Sequence, residues 1–157
     1  MKKSQQVIRI AIIAALYFVL TLPGLTISYG PIQIRFSEIF TVFPILFPEA
    51  IIGVTIGCLA ANSLSPFLVY DMTLGVLTSL VAAILTRLLR KNKPLAAFPP
   101  VILNALMIPL VFKLAGDNEQ LYFINMLLIF ITQTIVIYGL GLPFIKIIEK
   151  RLQITKK

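Results

Sequence analysis

Charge interrupts this chain so rarely that the neutral runs themselves organise it. Between successive charged residues they cover 10–34, 50–70, 94–112 and 120–145, with shorter runs at 39–48 and 72–86. A helix needs roughly 20 mostly apolar residues to cross a hydrocarbon core about 30 Å thick. Four runs reach that length alone. The two shorter ones reach it when their polar ends lie at the membrane surface or line a cavity. Run length, with the placement of basic residues below, predicts an all-α integral membrane bundle of six transmembrane helices. The spans fall at about 7–27, 32–47, 49–66, 70–89, 95–114 and 121–148, in one domain covering 1–157.

Breakers refine the second span. Pro23, Gly24, Gly30 and Pro31 make an uninterrupted helix there unfavourable, and Gln33, Arg35, Ser37 and Glu38 bring polar groups to membrane depth. Irregular polar backbone is tolerated at that depth only where protein buries it or water lines it. Residues 23–35 are therefore expected to form a structured loop dipping toward a cavity on the outer face. Gly116-Asp117-Asn118 reads as a turn.

Composition agrees with a membrane solvent. The 157 residues are 59% hydrophobic and 13% charged, with a mean hydropathy of +0.97, where a soluble domain carries about a quarter charged residues. All but Arg35 and Lys113 of the 14 Lys and Arg residues fall into three groups. These are Lys2, Lys3 and Arg9, then Arg87, Arg90, Lys91 and Lys93, then Lys146, Lys150, Arg151, Lys156 and Lys157. Cytoplasmic loops carry the Lys/Arg excess. With all three groups inside, an even number of spans must separate each pair, which four spans before Arg87 and two after Lys93 provide. Both termini are then cytoplasmic at the cell membrane, with Arg35, Glu38 and Asp71 near the outer side. Glu49, in the Phe47-Pro48-Glu49 turn, lies inside. The net charge of +8 is thus a matter of topology, not of nucleic-acid binding. The basic start and apolar run also fit a signal peptide, but no Ala-x-Ala site follows, so a retained first helix is expected.

Several chemistries are excluded or poorly supported. There is no histidine, so the serines have no such base to activate them, and the six acidic residues are scattered rather than clustered for a metal. Cys58 stands alone and cannot form an intramolecular disulfide. No phosphate-binding GxxxxGK[ST] loop occurs, so active transport would need a partner ATPase or an ion gradient. An enzyme is not expected, nor any cofactor or metal.

The polar residues inside apolar runs carry the information. Arg35 and Glu38 are three apart and share a helix face. They either form an ion pair anchoring a helix end or face a binding cavity, and the cavity is favoured. Asn62, Asp71, Asn104 and Gln133 bring hydrogen-bonding capacity into or beside spans, as ligand contacts or as helix–helix glue. Asp71 is alternatively a helix cap. Tyrosines in membranes usually sit in the interfacial belt, but Tyr29 and Tyr70 lie near the expected cavity, where a ring can stack on a planar ligand. Ala11 and Ala15 form a small-xxx-small pair on the first helix, a spacing that lets another helix approach closely.

The run Tyr29-Gly30-Pro31-Ile32-Gln33-Ile34-Arg35-Phe36-Ser37-Glu38 closely resembles a segment of the QueT family of queuosine precursor transporters. The similarity continues through Phe43-Pro44, Phe47-Pro48-Glu49-Ala50, Ile56-Gly57-Cys58-Leu59 and Ala60-Ala61-Asn62. It returns at Pro99-Pro100-Val101-Ile102-Leu103-Asn104-Ala105 and at Tyr138-Gly139-Leu140-Gly141-Leu142-Pro143. The resemblance implies the substrate-binding S component of an energy-coupling factor (ECF) transporter, a six-helix subunit that docks on a T subunit carried by two cytoplasmic ATPases. Ala11 and Ala15 match the alanine motif that S components use against the T subunit. The implied ligands are 7-deazaguanines such as preQ0, preQ1 or queuine. Glu38 would take the N–H donors of the guanine-like edge, Arg35 or Asn104 its carbonyl, Tyr29 or Tyr70 its ring, and Asp71 a cationic arm. One departure stands out: the family tends to a Gly-Glu step in the last helix, where this chain has Thr132-Gln133. Gln both donates and accepts, whereas an ionised Glu only accepts, so the preferred precursor is left open. An S component for another vitamin, or a membrane scaffold without ligand, are the competing readings.

Overall fold

A computed structural model of the chain describes residues 3–24, 34–116 and 121–152. Six helical units follow one another there, and no strand occurs among the described residues. They are α1 (Lys3–Thr21), α2 (Phe36–Ile45), α3 (Ala50–Asn62), α4 (Leu68–Leu88), α5 (Lys93–Leu114) and α6 (Tyr122–Leu152). Four of these, α1, α4, α5 and α6, are long and apolar enough to cross a membrane. Where spans were expected at 32–47 and 49–66, helices of 10 and 13 residues stand. At about 2.0 Å rise per residue in a 3₁₀ helix and 1.5 Å in an α-helix, each is about 20 Å long. Neither crosses a core of about 30 Å by itself. The fold is an all-helical membrane bundle.

The first helix ends earlier than its hydropathy suggests. It gives way after Thr21 to a tight turn, Leu22–Gly24, that holds Pro23, whose ring and missing N–H stop an α-helix. Most of the loop expected over 23–35 lies outside the described residues. Its last residue, Arg35, is extended, at φ −111° and ψ 109°.

The short α2 is the hub. It is wound as a 3₁₀ helix, and eight of its residues, from Ser37 to Ile45 with Ile39 excepted, are buried. It packs against α1, α3, α4 and α6. The Thr41 hydroxyl donates to the Glu38 carbonyl at 2.6 Å, which supports the tight winding. At the other end, Pro44 lacks an N–H and the chain turns. The Arg87 guanidinium of α4 donates to the carbonyls of Pro44 and Ile45, each at 3.1 Å. A cation at a helix C-terminus also meets the negative end of its dipole.

Helices α1 and α3 pack backbone to backbone. A Cβ on Gly53 would lie 2.9 Å from Ile13 Cβ, and one on Gly57 would lie 2.7 Å from Tyr17 Cβ and 2.9 Å from the Ala14 carbonyl. Gly53 and Gly57 therefore form the small-xxx-small pair that this contact requires. Around this pair the core gathers Ile13, Tyr17, Phe40, Val54 and Ile137, and a second cluster, with Phe112 and Ile129, joins α5 to α6. Outside it, large side chains such as Ile12, Val19, Ile52 and Phe123 are exposed, which in a bilayer is their favourable environment.

Two helices carry a widened π turn, at Asp71–Gly75 in α4 and Ile135–Gly141 in α6. The second runs up to Pro143, which has no N–H to give the α-helical ladder. Charged residues gather at one end of the bundle. Arg9 pairs with Glu49 at 3.0 Å and lies 4.8 Å from the Phe47 ring centre, while Lys93 pairs with Glu149.

Candidate functional site

At the opposite end, short polar side chains from four helices converge in an apolar bundle. The first turn of α2 supplies Glu38, with Arg35 just before it. The last residue of α3 supplies Asn62, the π turn of α4 supplies Asp71, and the middle of α5 supplies Asn104. All five are buried, none more than 6% exposed, and all line one cavity. In hydrocarbon surroundings a buried polar group must find partners, and here they find each other.

Two networks result. In the first, the Tyr17 hydroxyl donates to Glu38 Oε1 at 2.8 Å, and the Asn104 amide donates to Glu38 Oε2 and to Gln133 Oε1, each at 3.3 Å. In the second, Arg35 donates to Asn62 Oδ1 at 3.1 Å, and the Asn62 amide donates to the Asp71 carbonyl at 2.7 Å. Ser65 donates to the Asp71 carboxyl group and accepts the Phe67 backbone N–H. Gly75 leaves room for this second network, since a Cβ there would lie 2.9 Å from Asn62 Nδ2. Cys58 and Ser79 complete the wall with a contact of 3.1 Å. A π turn is frequently a mark of a functional position, and this one presents Asp71 and Gly75 together.

The free space among these groups is about 10 Å³, roughly one water molecule. Ligand sites run to about 300–1,000 Å³, so these side chains nearly fill the space between them. They offer a complementary set: carboxyl acceptors in Glu38 and Asp71, a planar donor fork in Arg35, and amides in Asn62 and Asn104 that donate and accept. Among the described residues no group of His, Cys, Asp and Glu is arranged for a metal ion.

The sequence candidates separate as follows. Arg35, Glu38, Asn62, Asp71 and Asn104 share the cavity. Gln133, 1% exposed, stands behind Asn104. Tyr70 is half-buried and is not among the lining side chains. Tyr29 lies outside the described residues. Asp71 sits inside the continuous helix Leu68–Leu88 rather than capping it, and Ser65 takes the backbone N–H at its start. Ala11 and Ala15 are exposed on α1, turned away from Ile13 and Tyr17, which face α3.

Tyr17 was not singled out in the sequence, yet it is fully buried and bonded to Glu38. A signal existed. It lies at mid-span, where a hydroxyl needs a partner, and not at a span end, where the interfacial belt would hold it. Cys58, Gly75 and Ser79 carried no comparable signal, being small residues in apolar runs.

Comparison with known proteins gives two matches. The sequence profile of the QueT transporter family matches residues 7–150. The chain is also similar to the queuosine precursor transporter QueT of Lactococcus lactis subsp. cremoris (strain MG1363), 49% identical over 85 residues. That stretch is 52% of this chain and 50% of the relative, so the match spans about half the relative's length. No solved structure matches the chain.

Proposed function

The chain belongs to the QueT transporter family, and from that premise we propose that it is the substrate-capture S subunit of an ECF-type importer for queuosine precursors. Family membership makes it a multi-pass membrane transporter protein and not an enzyme. The 7-deazaguanine ligand, the partner subunits and the six-span topology are parts of the proposal.

The observation that carries it is the buried cluster of Arg35, Glu38, Asn62, Asp71 and Asn104. Ionisable groups inside a membrane bundle are costly and mark substrate pathways. A scaffold has no use for three of them, with two buried amides, around one cavity. A guanine-like edge presents two adjacent N–H donors, which suit the two oxygens of Glu38, now held by Tyr17 and Asn104. Its carbonyl suits Arg35 or the Asn104 amide, and a cationic aminomethyl arm suits Asp71. Gln133 acts on the ligand through Asn104, whose amide it accepts at 3.3 Å. Tyr29, outside the described residues, and Tyr70, half-buried, are the stacking candidates of this reading.

Binding therefore proceeds by exchange. The ligand replaces protein partners that the polar groups already have, which keeps them satisfied in both states. ATP hydrolysis is supplied by partner ATPases, and the exposed Ala11–Ala15 face of α1 docks on the T subunit. Placing the termini and the Arg87–Lys93 loop on the cytoplasmic side is supported by the pairing of Arg9, Arg87 and Lys93 at one end of the bundle. In this topology α2 and α3, with their flanking residues, complete a six-span single domain over 1–157.

Titrating purified protein with preQ0, preQ1 and queuine tests the substrate. Micromolar or tighter binding of at least one is expected. Silence toward all three removes the 7-deazaguanine assignment, while co-purification with T and ATPase subunits separately decides the S-subunit role.

A further inference from the structure

We propose that the groove between α1 and α6 is a binding site for one anionic glycerophospholipid, its acyl chain lying on the groove and its phosphate on Lys150 and Arg151. The groove is about 510 Å³ and apolar, walled by Leu16 and Leu20 of α1, Phe40 of α2, and Leu140, Phe144 and Ile147 of α6. Its floor includes Gly139, where a Cβ would meet no atom within 4 Å. The backbone of α6 is therefore bare at this point, open to whatever lies in the groove.

Ile147 also borders a second depression, lined among the described residues by Lys150 and Arg151 as well. One stripe of α6 thus runs Leu140, Phe144, Ile147, Arg151 and changes from apolar to cationic at Ile147. From Gly139 to Ile147 is about 12 Å at 1.5 Å per residue, close to the depth of one leaflet in a core of about 30 Å. Chain length and headgroup height of a phospholipid match that change in register.

Charge complementarity selects the headgroup. Glu149 is turned to Lys93, and among the described residues neither Lys150 nor Arg151 takes part in an ion pair. Basic pockets at the cytoplasmic ends of membrane helices attract anionic lipid headgroups. A partner's transmembrane helix could use the apolar part of the groove, but it would leave two exposed cations facing the lipid surface without an anion. Such a site rests on the cytoplasmic placement of this end proposed above and is independent of the substrate.

Native mass spectrometry of the detergent-purified protein with dioleoyl phosphatidylglycerol and dioleoyl phosphatidylcholine tests it. One phosphatidylglycerol should be retained at least tenfold more tightly than phosphatidylcholine. The Lys150→Gln, Arg151→Gln double variant should lose that preference, at about fivefold per charge. Gly139→Phe should expel the lipid, and Gly139→Leu, the milder change, should weaken it while the protein stays monodisperse and helical. Equal retention of the two lipids by the wild type overturns the proposal. So does a preference that survives in the double variant, or one untouched by both Gly139 variants, which would reduce it to headgroup attraction alone. Absence of any retained lipid would hand the groove to a partner helix.

Discussion

Glu38 is held on both of its carboxyl oxygens, by Tyr17 at 2.8 Å and by Asn104 at 3.3 Å, and it is 2% exposed. A residue so placed cannot be removed without leaving donors unpaired. Glu38→Ala is expected to weaken 7-deazaguanine binding by about 1–3 kcal/mol, the usual cost of a buried unsatisfied group. Isothermal titration would measure it, and wild-type affinity would return Glu38 to a purely structural role. Asn62 is held at both ends of its amide. Its carbonyl accepts from Arg35 and its amide donates to the Asp71 carbonyl, so it joins the start of α2 to the π turn of α4. The amide geometry does this because one side chain offers an acceptor and two donors in one plane.

The element scale turns on how closely helices approach. Gly57→Ala sets two effects against each other. Alanine improves helix propensity by up to about 1 kcal/mol, but its Cβ would fall 2.7 Å from Tyr17 Cβ and 2.9 Å from a backbone carbonyl of α1. Backbone cannot step aside as a flexible side chain can, and overpacking costs about 1–3 kcal/mol. The clash should win, seen as a lower thermal midpoint in detergent; an unchanged or raised midpoint would mean that α1 and α3 separate at little cost. The other side of α1 behaves differently, since Ala15 is exposed. Ala15→Trp is expected to abolish co-purification with a T subunit while ligand affinity stays within about twofold, because surface changes away from packed features cost little. Undiminished co-purification would move the docking face elsewhere. One side of α1 thus meets the small residues of α3, and its own small pair lies on the other, exposed side.

For the whole molecule, the proposed membrane orientation rests on where the cations gather. Arg9, Arg87 and Lys93 are anchored by Glu49, the α2 carbonyls and Glu149 at one end, and the polar cavity lies at the other. Cys58 is the sole cysteine, so a Cys58→Ala background allows single-cysteine mapping. A membrane-impermeant maleimide on intact cells should label Lys113→Cys and leave Lys91→Cys unlabelled; the reverse pattern would invert the topology. Under the proposed function, that orientation would put the cavity on the side from which a ligand is captured and the basic end on the side of the proposed ATPases.

The membrane class was settled by the sequence alone, because hydropathy is additive along the chain and needs no knowledge of contacts. The same holds for the positions of α4, α5 and α6, whose long neutral runs are visible residue by residue. The five polar side chains stood out as charge and amide groups inside apolar runs, but their gathering around one cavity did not. Tertiary structure decided what depends on neighbours. It wound Phe36–Ile45 as a short 3₁₀ hub, because nearly all its faces are buried at once and no hydropathy window records that. It turned Tyr17 inward to Glu38, made Gly53 and Gly57 the seat of α1, and left Ala11 and Ala15 outside. Small residues look alike in a sequence, whether they touch a helix, a cavity or lipid. Only the packing, which would bring a Cβ on Gly57 to 2.7 Å from Tyr17 and one on Gly139 to no atom within 4 Å, tells them apart.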